Sequence, residues 1–68
     1  MTNVELLKEK VAESGLKASF IVERLGISRA SWYNKLNGKS EFTAGEIKNL
    51  CDVLRITSLR ERDEIFFS

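Results

Sequence analysis

Helix start and stop signals divide this chain into short segments, and this spacing constrains the fold more than any other feature. Gly15 and Gly26 each follow a segment with apolar residues at helical spacing, and an Asn37-Gly38 pair follows a third. Glycine reaches the left-handed backbone that ends a helix with little steric cost. No segment shows sustained alternation of apolar and polar residues, so no sheet is expected. The sequence therefore predicts an all-α fold of short helices.

Five helices are predicted from capping residues and apolar periodicity. Four lie at about residues 3–14, 18–25, 29–36 and 44–54, and a last short helix starts near residue 58 and runs into residues 65–67. In the S/T-x-x-E capping box, each side chain satisfies a free backbone donor at the helix start. The spacing of this box occurs at Thr2 with Glu5, at Thr43 with Glu46 and at Ser58 with Glu61.

The composition narrows the class of protein. A length of 68 residues is that of one domain, 1–68, and 43% hydrophobic content argues against disorder. One cysteine and no histidine exclude an intrachain disulfide, a Cys/His zinc site and a histidine-based catalytic triad. We therefore expect no enzyme, no cofactor and no metal. Without a long apolar run or a signal-peptide pattern, the expected location is the cytoplasm, in association with the nucleoid.

The charge is unevenly distributed although the net charge is only +1. Residues 16–40 hold five basic side chains and one acidic one, whereas acidic residues outnumber basic ones on both sides of this segment. A basic middle between mildly acidic ends is typical of a local surface that binds a polyanion.

The second and third helices, with the turn at Gly26, occupy about twenty residues, 17–37. Two helices joined so closely must cross steeply and bury one face each. Trp32 and Leu36 lie four residues apart and are expected to share the buried stripe of the third helix. Its opposite side, within residues 28–37, is then free to enter a DNA major groove. Trp32 is expected to be a core residue rather than a platform for base stacking.

The outward-facing residue types suit recognition of DNA bases. Arg29 can donate two hydrogen bonds to guanine, and Asn34 can pair with adenine. The predicted base-contacting residues are Ser28, Arg29, Ala30, Tyr33 and Asn34, and Lys17, Lys35 and Lys39 flank them as predicted phosphate contacts. Arg29, Lys35 and Lys39 could instead be solubilising surface charges, and Tyr33 could pack half-buried.

The segment LKASFIVERLGISRASWYNKLNGK, residues 16–39, resembles the helix-turn-helix of the Cro/C1-type (XRE) family of phage and bacterial repressors. The resemblance rests on Val22, on Gly26 in the turn, on Ile27-Ser28-Arg29 and on the Asn37-Gly38-Lys39 ending. It covers about residues 4–56 and implies a five-helix, lambda-repressor-like domain similar to short phage-derived regulators. It also implies the same base contacts, with Asn37 and Lys39 near phosphate.

The chain departs from the family pattern at two positions. The glutamine that usually begins the first motif helix is replaced by Ala18, which removes a usual phosphate contact. A position often filled by an apolar residue holds Lys35, and Leu36 is expected to take the core role.

The sequence predicts a transcriptional regulator that binds double-stranded DNA as a homodimer, with a repressor-like role. The alternative is a protein-interaction module that binds and silences a partner protein. The tail at residues 65–67 either closes the core or forms the dimer contact, and we expect mainly the first, with part of the patch shared. No membrane and no small-molecule substrate are expected as partners.

Overall fold

The computed structural model describes residues 1–67, and over this range the chain forms five α-helices. They are α1 (Val4–Ser14), α2 (Ala18–Leu25), α3 (Arg29–Leu36), α4 (Ala44–Leu54) and α5 (Leu59–Phe66). Helix α2 packs against α3 and α4, and α1 packs against α3, α4 and α5. The all-α class and the number of helices are confirmed. Within the described residues, no helix is both long enough and apolar enough to cross a membrane.

The prediction of a capping box at Thr2 is wrong, because the N-cap of α1 is Asn3. Its side-chain oxygen accepts a hydrogen bond from the Leu6 amide at 3.1 Å. The Asn3 amide itself donates to the Ile65 carbonyl at 2.6 Å. This bond ties the start of α1 to α5, and the helix begins one residue later than expected.

The capping predictions for α4 and α5 have different outcomes. Thr43 and Glu46 form the full reciprocal box at the start of α4. At α5 the Ser58 hydroxyl accepts from the Glu61 amide at 3.3 Å. The Glu61 carboxylate lies 3.3 Å from the Lys10 ammonium, so this side chain links α5 to α1.

The turn between α2 and α3 depends on Gly26, which has a left-handed backbone with a φ of 70°. Its amide donates to the Val22 carbonyl at 2.9 Å, and the Ile27 amide donates to the same carbonyl at 3.2 Å. This is a Schellman-type helix ending, in which the amides of the left-handed residue and of the residue after it satisfy carbonyls that the last helical turn leaves without partners. Ser28 has an extended backbone conformation and is the N-cap of α3, which begins at the next residue.

Three aromatic rings connect α3 to the rest of the core. Trp32 is 1% exposed and meets the Phe42 ring edge-on, with ring centroids 6.1 Å apart. Phe42 in turn meets Phe66 of α5 at 5.7 Å and an interplanar angle of 82°. Edge-to-face pairs at these separations are stabilising beyond the area that they bury. The core role of Trp32 is therefore confirmed, and α5 is part of the same core.

The apolar tail is divided between core and surface. Ile65 and Phe66 are buried, as the core reading predicted, whereas 59% of the Phe67 surface is exposed. Two of the three residues thus close the core, and the third lies at the surface beside α5.

We expect Gly26→Ala to lower the free energy of unfolding by about 1–2 kcal/mol, because an alanine at this positive φ brings its Cβ against the following carbonyl oxygen. Urea unfolding measures the change. Gly45→Ala is the matched control, because Gly45 lies in α4 and nothing lies within 4 Å of an added Cβ. This variant should gain about 0.5–1 kcal/mol from helix propensity. Equal effects of the two substitutions would contradict the role of Gly26.

Candidate nucleic-acid interface

Helix α3 and its N-cap carry all five predicted base-contacting residues at exposed positions: Ser28, Arg29, Ala30, Tyr33 and Asn34. Positions three and four apart on a helix share a face, so the residues of α3 itself form one continuous solvent-facing strip. Tyr33 is 45% exposed, so somewhat more than half of its surface is covered and the remainder is available to solvent. The structure thus groups these residues on the side of α3 that faces away from Trp32.

The N-terminal end of this strip is open. The Ser28 hydroxyl oxygen accepts a hydrogen bond from the Ser31 amide at 3.1 Å, and this bond fixes the start of α3. The hydroxyl hydrogen is still free to donate to an acceptor outside. Amides in the first turn of a helix have no partner within the helix and carry its partial positive charge. Arg29 and Ala30 occupy the first two helical positions, at this electropositive end.

The inward side of α3 differs from the prediction at one position. Trp32 and Lys35 are the buried residues of α3, whereas Leu36 is only partly buried and packs against the core cluster. Lys35 therefore occupies the inward position at which the family pattern often has an apolar residue. Its long aliphatic stem can fill such a site while its ammonium reaches a polar partner.

The prediction that Lys35 contacts DNA phosphate is corrected by its surroundings. Its ammonium donates to the Glu41 carbonyl and to a Glu46 carboxylate oxygen, both at 2.9 Å. It also lies 5.7 Å from the centre of the Phe42 ring, within range of a cation–π contact. The residue is only 9% exposed. Because its charge is directed inward and paired, Lys35 connects α3 to the start of α4 rather than to a ligand.

Glu46 is the second member of this pair and has two roles. The carboxylate oxygen that accepts from Lys35 also accepts from the Thr43 backbone amide at 2.9 Å, which completes the capping box. Burial opposes the charged form of Glu46, but the hydrogen bonds from Thr43 and Lys35 outweigh it and lower the pKa of the carboxyl group. Sequence reasoning missed this pair. The signal in the sequence was a lysine at a position where the family pattern often has an apolar residue. The glutamate of the capping box follows it eleven residues later.

The other predicted phosphate-contacting residues are exposed near the ends of the motif helices. Lys17 is exposed at the N-cap of α2, and Lys39 is exposed in the turn after α3. Asn37 ends α3, and its side-chain amide donates to the Tyr33 carbonyl at 2.9 Å. One amide hydrogen of Asn37 is thereby engaged, and the other can still donate to a phosphate oxygen.

The surface of this region stays basic after Lys35 is removed from the balance. Residues 16–40 still expose Lys17, Arg24, Arg29 and Lys39 against one acidic side chain, Glu23. This excess of positive charge along residues 16–40 favours an anionic partner such as the phosphate backbone of nucleic acid.

The described part of the chain holds few groups that could bind a metal ion or act as a nucleophile. Within residues 1–67, no group of three or more potential metal-ligating side chains comes together. Cys51 is buried in the core, and burial raises the pKa of its thiol, so the neutral form is favoured. Neither feature adds a candidate metal or thiolate site to the exposed strip on α3 within the described residues.

A short helix, a glycine turn and a second helix with an exposed polar face define a helix-turn-helix protein. The family model of the Cro/C1-type HTH DNA-binding domain matches residues 6–59, which is most of the chain. The chain belongs to this family, as the resemblance implied. No curated protein and no solved structure matches it.

We expect Glu46→Gln to lower the free energy of unfolding by about 1–2 kcal/mol near pH 7, because it weakens a helix cap and leaves Lys35 without its counter-ion. The pKa of Glu46 is lowered by folding, so its stabilising charge is present above the ordinary value of 4.5 and is lost as the pH falls through the folded value. The difference between wild type and variant should therefore shrink as the pH falls below 4.5.

Chemical denaturation at a series of pH values measures this difference. Glu64→Gln is the control, since Glu64 is exposed on α5 and should show little difference at any pH. A Glu46→Gln deficit that stays constant down to strongly acidic pH would contradict the account of the pair.

Proposed function

We propose that this protein is a sequence-specific transcriptional regulator that reads the DNA major groove with α3. The observation that carries the proposal is the orientation of this helix, with Trp32 and Lys35 buried on one side and the polar strip exposed on the other. The major groove is about 12 Å wide and admits one helix. Membership of a DNA-binding family supports DNA as the partner.

Individual roles follow from the chemistry of each side chain. Arg29 would donate two hydrogen bonds to a guanine, and Asn34 would pair with an adenine. Ala30 offers a methyl group to thymine, whereas Ser28 and Tyr33 offer hydroxyl groups to a base edge or a phosphate. Residues from adjacent turns of one helix can read neighbouring base pairs, so together they would specify a half-site.

Phosphate contacts would hold α3 in register. Lys17 and Lys39 lie before and after the motif helices, so they can reach the backbone on either side of the groove. Asn37 adds a neutral donor near the C-terminal end of α3. The family usually has a glutamine where this chain has Ala18, so we assign more of the phosphate binding to Lys17 here.

The biological role that fits these contacts is repression by a homodimer in the cytoplasm. Two copies related by a two-fold axis would present two α3 helices to half-sites one helical turn, about 34 Å, apart. A protein bound in this way blocks access to the DNA by occupying it, without any catalytic step. The alternative role, in which the bundle silences a partner protein, receives no support from the family match.

We expect Arg29→Ala to reduce affinity for the preferred site by about 1–3 kcal/mol and to relax the preference at one base position. Lys39→Ala should instead weaken preferred and random DNA alike and reduce the slope of log affinity against log salt by about one. Selection from a random duplex pool identifies the preferred site, and titrations at several salt concentrations then compare the variants.

Arg60→Ala is the matched control, because Arg60 is an exposed arginine on α5 outside the proposed interface. It should bind like the wild type. An equal loss on preferred and random DNA for Arg29→Ala would reject base reading by this residue. Recovery of no preferred sequence from the pool would reject sequence-specific regulation as a whole.

A further inference from the structure

The loop between α3 and α4 is tied to α3 at both of its ends. At its start, the Gly38 amide donates to the Lys35 carbonyl at 3.1 Å, and the Lys39 amide donates to the Asn34 carbonyl at 2.8 Å. At its far end, the Glu41 carbonyl accepts a hydrogen bond from the Lys35 ammonium at 2.9 Å. The backbone of Lys39 therefore lies between two fixed points on the same helix.

The ammonium of Lys35 is itself held in one position. A Glu46 carboxylate oxygen accepts from it at 2.9 Å, and the same oxygen accepts from the Thr43 amide at the start of α4. The ammonium also lies 5.7 Å from the centre of the buried Phe42 ring. A buried ammonium without a counter-ion turns toward solvent, because its burial is then costly. Glu46 thus keeps Lys35 bonded to the loop.

A lysine at this position can do what an apolar side chain cannot. The family pattern often has an apolar residue here, which fills the space but cannot donate to the Glu41 carbonyl. The stem of Lys35 fills the same space, and its ammonium adds two hydrogen bonds with a defined direction. The substitution therefore changes a packing position into a connection between α3, the loop and α4.

We propose that Lys35 and Glu46 are positioning residues for DNA binding, which hold Lys39 in a fixed place relative to the exposed strip of α3. This inference rests on the proposed function, in which Arg29 reads a base and Lys39 contacts phosphate. Neither member of the pair touches DNA itself. A loop that is ordered before binding loses little conformational freedom when a duplex arrives, so more of the contact energy appears as affinity.

Charge and positioning predict opposite effects for Glu46→Gln. The substitution removes a negative charge and releases the Lys35 ammonium, so attraction between the chain and DNA should by itself strengthen binding. It also removes the counter-ion that holds Lys35 on the loop. A positioning role therefore predicts weaker binding in spite of the more positive chain, and the sign of the change distinguishes the two effects.

Titrations of the full chain with its selected duplex and with a random duplex measure this change. Glu46→Gln and Lys35→Met should each weaken binding to both duplexes by about 10-fold, the effect of having to order roughly one more residue on binding. The loss is uniform because Lys39 contacts phosphate rather than a base. Lys35→Met keeps a long apolar stem and the capping box of Thr43, and circular dichroism checks that both variants are folded.

The effect should also depend on Lys39. In a chain that already carries Lys39→Ala, adding Lys35→Met should cause little further loss of affinity, because the role of Lys35 is exercised through Lys39. The double variant of Lys35→Met and Glu46→Gln should likewise lose no more than either single variant. A role in stability alone would leave the affinity of the folded chain unchanged and would show no such coupling.

NMR relaxation of the free protein gives a readout that does not need DNA. In the wild type, the backbone order parameters of residues 38–41 should be near the value of rigid backbone, about 0.85. In Lys35→Met and in Glu46→Gln they should fall toward about 0.6, the range of flexible loops.

Lys8→Met and Glu64→Gln are the matched controls. They make the same changes of side chain and charge at exposed positions on α1 and α5. Both should bind the two duplexes like the wild type and leave the order parameters of residues 38–41 unchanged.

The outcomes separate this inference from the function on which it rests. A folded Lys35→Met or Glu46→Gln variant that binds as tightly as the wild type or more tightly, or a loop that stays equally ordered, overturns the positioning role. Recovery of no preferred sequence rejects the proposed function alone, provided that both variants still lose affinity for the random duplex. A chain that binds neither duplex overturns both.

Discussion

The edge-to-face contact between Trp32 and Phe42 determines which side of α3 faces the solvent, and the interface depends on that choice. Trp32 is the largest fully buried side chain of the described chain, and it can be covered only if α3 turns this position toward the core. Phe42 extends the contact to Phe66, so the orientation of α3 is tied to the packing of α5. With that orientation fixed, the helical repeat places Arg29 and Asn34 outside.

A second constraint acts at the other end of α3. The Lys35 ammonium joins the helix to the Glu41 carbonyl and the Glu46 carboxylate, which spans the loop that carries Lys39. Replacing a buried ion pair with apolar residues is often neutral or stabilising, so such a pair is weak evidence for stability. The pair matters here for its geometry rather than for its energy. Its two hydrogen bonds of 2.9 Å hold the loop in one position relative to α3. The lysine thus holds the loop that carries Lys39 beside the proposed interface.

Local rules accounted for most of the fold. Cap residues and glycines act within a few residues of the chain, so they predicted α2, α3 and α4 to the residue. The misplaced cap of α1 reflects a choice between two adjacent capping residues, Thr2 and Asn3, which local rules do not separate. The inward direction of Lys35 depends on a partner distant in sequence, Glu46. The division of the tail between buried Phe66 and exposed Phe67 likewise depends on tertiary packing, which single-sequence periodicity does not report.

If the exposed strip of α3 meets DNA, the NMR signals of its residues must respond to a bound duplex. A titration of the isotope-labelled chain with its selected duplex measures this response. We expect the largest shifts at Ser28, Arg29, Ala30, Tyr33 and Asn34, smaller ones near Lys17 and Lys39, and little change at buried Trp32. Shifts centred on α5 or on the outer face of α4, with the α3 strip unchanged, would show that another surface meets DNA.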